Sequence, residues 1–127
     1  MMKKGASLHK YTVDNFLTGK SAHTYALFQH FIEKFNSIGP IELYPTKTMI
    51  GIAAPLRKIA WVTALGKDFV HIVFPFTEPH PDNLCFVKIA KVPGHDRQYN
   101  HHFRMYAKED VNEEVFHFMS MAYERNK

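Results

Sequence analysis

"IAWVTALGKDFVHIVFPF", residues 59 to 76, decides the fold. Two apolar arms, "IAWVTAL" and "FVHIVFPF", flank Gly66-Lys67-Asp68. Arms rich in β-formers around a three-residue loop with a glycine predict a hairpin. Side chains alternate along a strand, so Val70, Ile72, Phe74 and Phe76 share one face and His71 points to the other.

On the N-terminal side, "IELYPTKTMIGIAA" (41–54) reads as extended chain broken at Pro45, with Thr48, Ile50 and Ile52 facing one way. On the C-terminal side, "TEPHPDN" is a proline-rich loop. "LCFVKIAK" (84–91) and "YNHHFRMY" (99–106) then flank "VPGHDRQ" and predict a second, longer hairpin.

Helical periodicity takes over outside the strands. "YTVDNFLTG" reads as a short helix capped by Thr12 and ended by Gly19. Ser21 caps a longer one, "AHTYALFQHFIEKFNSI", with an apolar stripe of Tyr25, Phe28, Phe31, Ile32, Phe35 and Ile38. Gly39-Pro40 stops it. Asn112 caps a terminal helix with Glu113 and Glu114 in its first turn, where the helix dipole favours acids, and Val115, Phe118, Met119 and Ala122 as its core stripe.

The expected fold is therefore α+β. An antiparallel sheet of about five strands packs against two longer helices on one face, with a short N-terminal helix besides. Residues 1–10 are expected to form a flexible tail, and residues 11–127 a single domain.

Composition agrees with one folded unit. The 127 residues are 46% hydrophobic with eleven Phe, enough for a core and far from a disordered composition. The single cysteine, Cys85, excludes an intramolecular disulfide and, with no secretory h-region, leads us to expect a cytoplasmic protein. No apolar run approaches the ~20 residues of a membrane span.

A sequence pI near 9.2 suggests an anionic partner, but much of the +4 net charge lies in the termini, and residues 11 to 123 are neutral as a group. Within that body the charge is segregated. Residues 43 to 108 hold nine bases and four acids, whereas residues 109 to 123 hold four acids and no Lys or Arg. A basic middle makes a local field that attracts anions.

The richest chemistry lies in "HDRQYNHHFRMY" (95–106). Alternation sends Tyr99, His101, Phe103 and Met105 toward the helices and Asn100, His102, Arg104 and Tyr106 outward. His101 is then a core-edge histidine in need of a hydrogen-bond partner. Neighbouring His101 and His102 diverge, and no CxxC or HExxH accompanies them, so we expect no bound metal. No GxSxG, Walker or GxGxxG motif is present, and neither catalytic residues nor cofactors are assigned.

What remains is an outward polar face. Arg57, Trp61, His71, Lys88, His102 and Arg104 are its candidate ligand-binding residues: arginine can grip a phosphate or carboxylate with two N–H groups, and a ring can stack on a base. The expected function is a non-catalytic binding module for an anionic ligand, a nucleic acid or an acidic protein surface, with weak, salt-sensitive affinity. The alternative is a small metal-independent enzyme that uses His71 or His102 as acid or base. An open face beside these histidines favours binding, and a closed cleft favours chemistry.

Three stretches carry a family resemblance: "YTVDNFLTGK", "PTKTMIGIAAPLRKIAWV" and "NHHFRMYAKEDVNEEVFHFMSMAYE". Together they resemble DUF5655, a family of small bacterial domains. Lys47, Thr48, Arg57 and Ala122-Tyr123 match recurrent positions of that family. Where its members often carry an aromatic and an arginine, this chain has Gly51-Ile52-Ala53-Ala54-Pro55. The resemblance implies a compact α+β domain, sometimes fused to others, and no particular activity.

Overall fold

Alternating strands and capped helices account for nearly every element of the structure, a computed structural model that describes residues 11–125. The tail expected over residues 1–10 lies outside the described residues. Among the described residues two helices come first, α1 (Val13–Leu17) and α2 (Ala22–Ile38). Six strands follow: β1 (Glu42–Pro45), β2 (Ile50–Ala54), β3 (Arg57–Leu65), β4 (Val70–Phe76), β5 (Lys88–Lys91) and β6 (Tyr99–Met105). A 3-10 turn (Lys108–Asp110) leads into α3 (Glu113–Glu124). Thr12, Ser21 and Asn112 cap the three α-helices as their residue types predict, each accepting a bond from a first-turn backbone N–H.

All strands pair antiparallel, in the order β1-β2-β3-β4-β6-β5. The sheet has six strands rather than about five because the stretch around Pro45 is a hairpin, not one interrupted strand. Pro45 ends β1, and Thr46 closes the turn by donating its N–H to Met49 O at 2.8 Å. The Gly66 turn is one residue longer than the sequence suggests. Leu65 pairs with Val70, and the Gly66 N–H donates to Phe69 O at 2.8 Å, so Phe69 belongs to the turn. Of "LCFVKIAK" only the last four residues form a strand; Cys85 and Phe86 fold back against the core, and Leu84 is exposed.

The core lies between one sheet face and the two longer helices. Phe28, Phe31 and Phe35 of α2 and Val115, Phe118 and Met119 of α3 meet Ile50, Ile52, Ile72, Phe74, Phe103 and Met105. The α2 stripe is rotated from the expected one. Tyr25 is 46% exposed, while Thr24 and Leu27 are buried. Hydrogen bonds cause the rotation: the Thr24 hydroxyl reaches Gly66 O at 2.7 Å and Lys67 O at 3.0 Å, and the Ser21 hydroxyl donates to Lys67 O at 2.8 Å. Periodicity counts apolar residues and therefore misses a threonine held inward by a turn.

Candidate binding face

Among the described residues no helix covers the other face of the sheet. The strand registers set a single row across it: Tyr44 beside Gly51, then Trp61, Val73, His102 and Lys88. Five inter-strand steps at about 4.8 Å make this row about 24 Å long. Next to it, His71 pairs with Arg104.

Trp61 lies flat because its row neighbour is glycine. A Cβ at Gly51 would stand 3.0 Å from Trp61 Cζ3, so the indole rests on bare backbone. Lys58 joins the face through a β-bulge, where the β2–β3 register shifts between Ile52 and Ala53. Its ammonium sits 5.3 Å from the Tyr44 ring centre and 5.7 Å from that of Trp61, within cation–π range. A second aromatic–cation unit stands at the end of the face that holds the β3–β4 turn. There the Arg104 guanidinium lies 4.0 Å from the Phe69 ring centre, and Phe69 lies 6.0 Å from Tyr106.

Between the two units runs a directional hydrogen-bond chain. The Arg104 Nε–H donates to His71 Nδ1 at 3.1 Å, and His71 Nε2 lies 2.9 Å from His102 Nδ1. Arginine can only donate, so His71 Nδ1 carries a lone pair, its proton sits on Nε2, and His102 Nδ1 accepts it. Both imidazoles are thus neutral, with the His102 proton on Nε2. Partial burial, then the Arg104 charge and then His102, pushes the His71 pKa down to about 4. Burial followed by the Lys88 charge lowers that of His102. Neither histidine is oriented by a carboxylate. The acid of this face, Glu42, stands at the β1 edge and accepts a bond from the Tyr44 hydroxyl, which raises the phenol pKa.

Five of the six candidates from the sequence, Trp61, His71, Lys88, His102 and Arg104, therefore share this face. Arg57 does not join them. It pairs with Ala54 at the opposite end of β3, near Arg125, whose pKa falls through burial first and the Arg57 charge second. The bulge that turns Arg57 away is what brings Lys58 in, and alternation alone could not reveal it. Tyr44 and Phe69 were also missed, the first hidden in the stretch broken at Pro45 and the second placed in a strand.

His101 takes the core-edge position its strand parity implies. Fully buried, it lies 2.8 Å from Tyr99 O through Nδ1 and accepts the His80 N–H through Nε2 at 3.1 Å. Cys85 is chemically quiet, its thiol pKa pushed up to about 12 by burial and then by Glu114. Among the described residues no three His, Cys, Asp or Glu side chains converge as a metal ion would require. Likewise, no described helix is long and apolar enough to cross a membrane. Cavities of 310 to 580 Å³ open on the surface, two of them beside Tyr44 at the β1 end of this face, and neither His71 nor His102 lines them.

A family model described as a domain of unknown function, DUF5655, matches residues 13–126. No curated protein and no solved structure matches the chain.

Proposed function

The chain belongs to the DUF5655 family, and since that membership assigns no activity, we propose from the surface itself that the domain is a non-catalytic module that binds single-stranded nucleic acid on its open sheet face. One observation carries the reading: two ring–cation units, Lys58 against Tyr44 and Trp61 and Arg104 against Phe69, stand with Lys88 on the face that no described helix covers. Unpaired bases stack on rings such as the exposed Tyr44 and the half-buried Trp61, and the phosphates between them meet Lys58, Lys88 and the Arg104 guanidinium. A row of about 24 Å suits roughly four nucleotides, the lower end of such sites. Because residues 11 to 123 are neutral as a group, affinity is weak. Dissociation constants on the order of 10⁻⁴ to 10⁻⁶ M at physiological salt, loosening as salt rises, are the expected range.

An enzyme with a histidine acid or base has less support. A general base is usually seated in a cleft beside a group that orients it, whereas His71 and His102 lie on an open face and bond to each other and to Arg104.

The test is a titration of the full chain with a short pyrimidine oligonucleotide, a duplex of the same length and an acidic peptide, at low and high salt. The single strand should bind most tightly, and Trp61→Ala or Arg104→Ala should each weaken it about tenfold, since one stacked base or one charged hydrogen bond is worth about 1–3 kcal/mol. A variant with Lys3, Lys4 and Lys10 all changed to alanine should still bind. No binding at low salt, preference for the peptide, or indifference to both face variants would overturn the reading.

A further inference from the structure

We propose that the cavity between α1, the β1–β2 turn and the end of β3 is a separate binding site for a phosphomonoester carried on a small organic body. Its volume is about 380 Å³, within the ~300–1,000 Å³ range of small-molecule sites. Phe16, Val62 and Leu65 supply apolar lining, while Lys20, Lys47, Thr48 and Thr63 supply donors. No carboxylate lines it.

The β-bulge in β3 builds this lining. Regular alternation would send Thr63 to the open face with Trp61, yet the β3–β4 register shifts between Val62 and Ala64, and four successive residues, Val62 to Leu65, border the cavity. Bulges re-aim side chains in this way beside functional sites.

The polar groups divide into those already engaged and those that are free. Thr18 donates its hydroxyl to Asp14 O at 2.7 Å, and Thr46 donates its own to Met49 O at 3.0 Å. The Thr48 and Thr63 hydroxyls and the two ammonium groups make no hydrogen bond among the described residues. A carboxylate offers two oxygens to such a set, whereas a phosphomonoester offers three and about two negative charges, which two lysines and two hydroxyls match. The apolar lining calls for a ring or short chain behind the phosphate rather than a free inorganic ion.

Phenyl phosphate is the probe, titrated into the full ¹⁵N-labelled chain, with inorganic phosphate and phenol as partial probes. Phenyl phosphate should shift the amides of Lys20, Thr48 and Thr63 saturably, inorganic phosphate should do so more weakly, and phenol should not. Changing Lys20 and Lys47 together to alanine should weaken binding about tenfold or more while leaving the unliganded melting temperature nearly unchanged, because both side chains are exposed. Trp61→Ala and Arg104→Ala should leave phenyl phosphate binding intact, which keeps this site distinct from the open face. The proposal is overturned by the absence of saturable shifts, by shifts that map to His102 and Arg104 instead, or by phenol binding as tightly as phenyl phosphate.

Discussion

Every proton in the Arg104–His71–His102 chain is fixed by the one group that cannot accept. Long-range ¹H–¹⁵N spectra at neutral pH should therefore show both His71 and His102 as Nε2–H tautomers, and a signal from an Nδ1–H form of His71 would refute the chain. The lowered pKa also ties this residue to stability. With His71 near 4 in the folded state against an ordinary 6.5, the unfolded chain takes up the proton first as pH falls. The stability contribution is then fully present above about pH 6.5 and is lost as pH drops toward 4. Lowered pKa values at His101 and His102 act in the same direction. Melting temperature should thus fall through this window, and His71→Gln should make the fall shallower; an identical slope would remove His71 from the account. At this scale the sequence was informative about direction and silent about contact. Parity sent His101 inward and His102 outward, but a cross-strand bond between His71 and His102 depends on the β4–β6 register, which no local pattern contains.

At the level of elements, α2 is fastened to the β3–β4 turn by hydroxyls rather than by its stripe alone. Thr24→Val keeps shape and burial but leaves Gly66 O without its donor, so it should cost about 1–3 kcal/mol in urea unfolding. Thr24→Ser, which keeps the hydroxyl, should cost less than Thr24→Val, and the reverse order would show that the methyl matters more than the bond. Ser21→Ala removes both the helix cap and the bond to Lys67 O, for about 1 kcal/mol or somewhat more. The capping residues were legible beforehand because a cap is a local signal, as were both long hairpins. The β1–β2 hairpin was not, since a proline between two short strands reads as an interruption. Both bulges were equally hidden, and with them the exchange of Arg57 for Lys58. At the sheet's outer edge, β5 begins and ends with lysines, Lys88 and Lys91, whose charges discourage another strand from pairing there.

The molecule as a whole is two layers with different charge. Acids collect at α3 and the turn before it, while Lys58, Lys88 and Arg104 stand on the bare sheet face. Position should therefore matter more than net charge in binding. Lys88→Glu, on the face, should weaken oligonucleotide binding by more than about tenfold. Glu33→Lys reverses a charge of the same size on the exposed side of α2, which packs against the opposite side of the sheet, and with salt screening exposed charges it should change binding less than about twofold. Equal and opposite effects would mean that total charge, not the face, governs binding. The layering itself could be inferred from alternation; the cavity beneath α1 could not, because it joins residues from three distant stretches at a bulge. The asymmetry has an optical consequence as well. Eleven phenylalanines occur in the chain, and many of them fill the core, while its single tryptophan, Trp61, stands on the uncovered side. Because Trp61 is half-buried, its emission should move further to the red on unfolding, and a base stacked on the indole should quench it, so the unlabelled protein carries its own reporter at the surface in question.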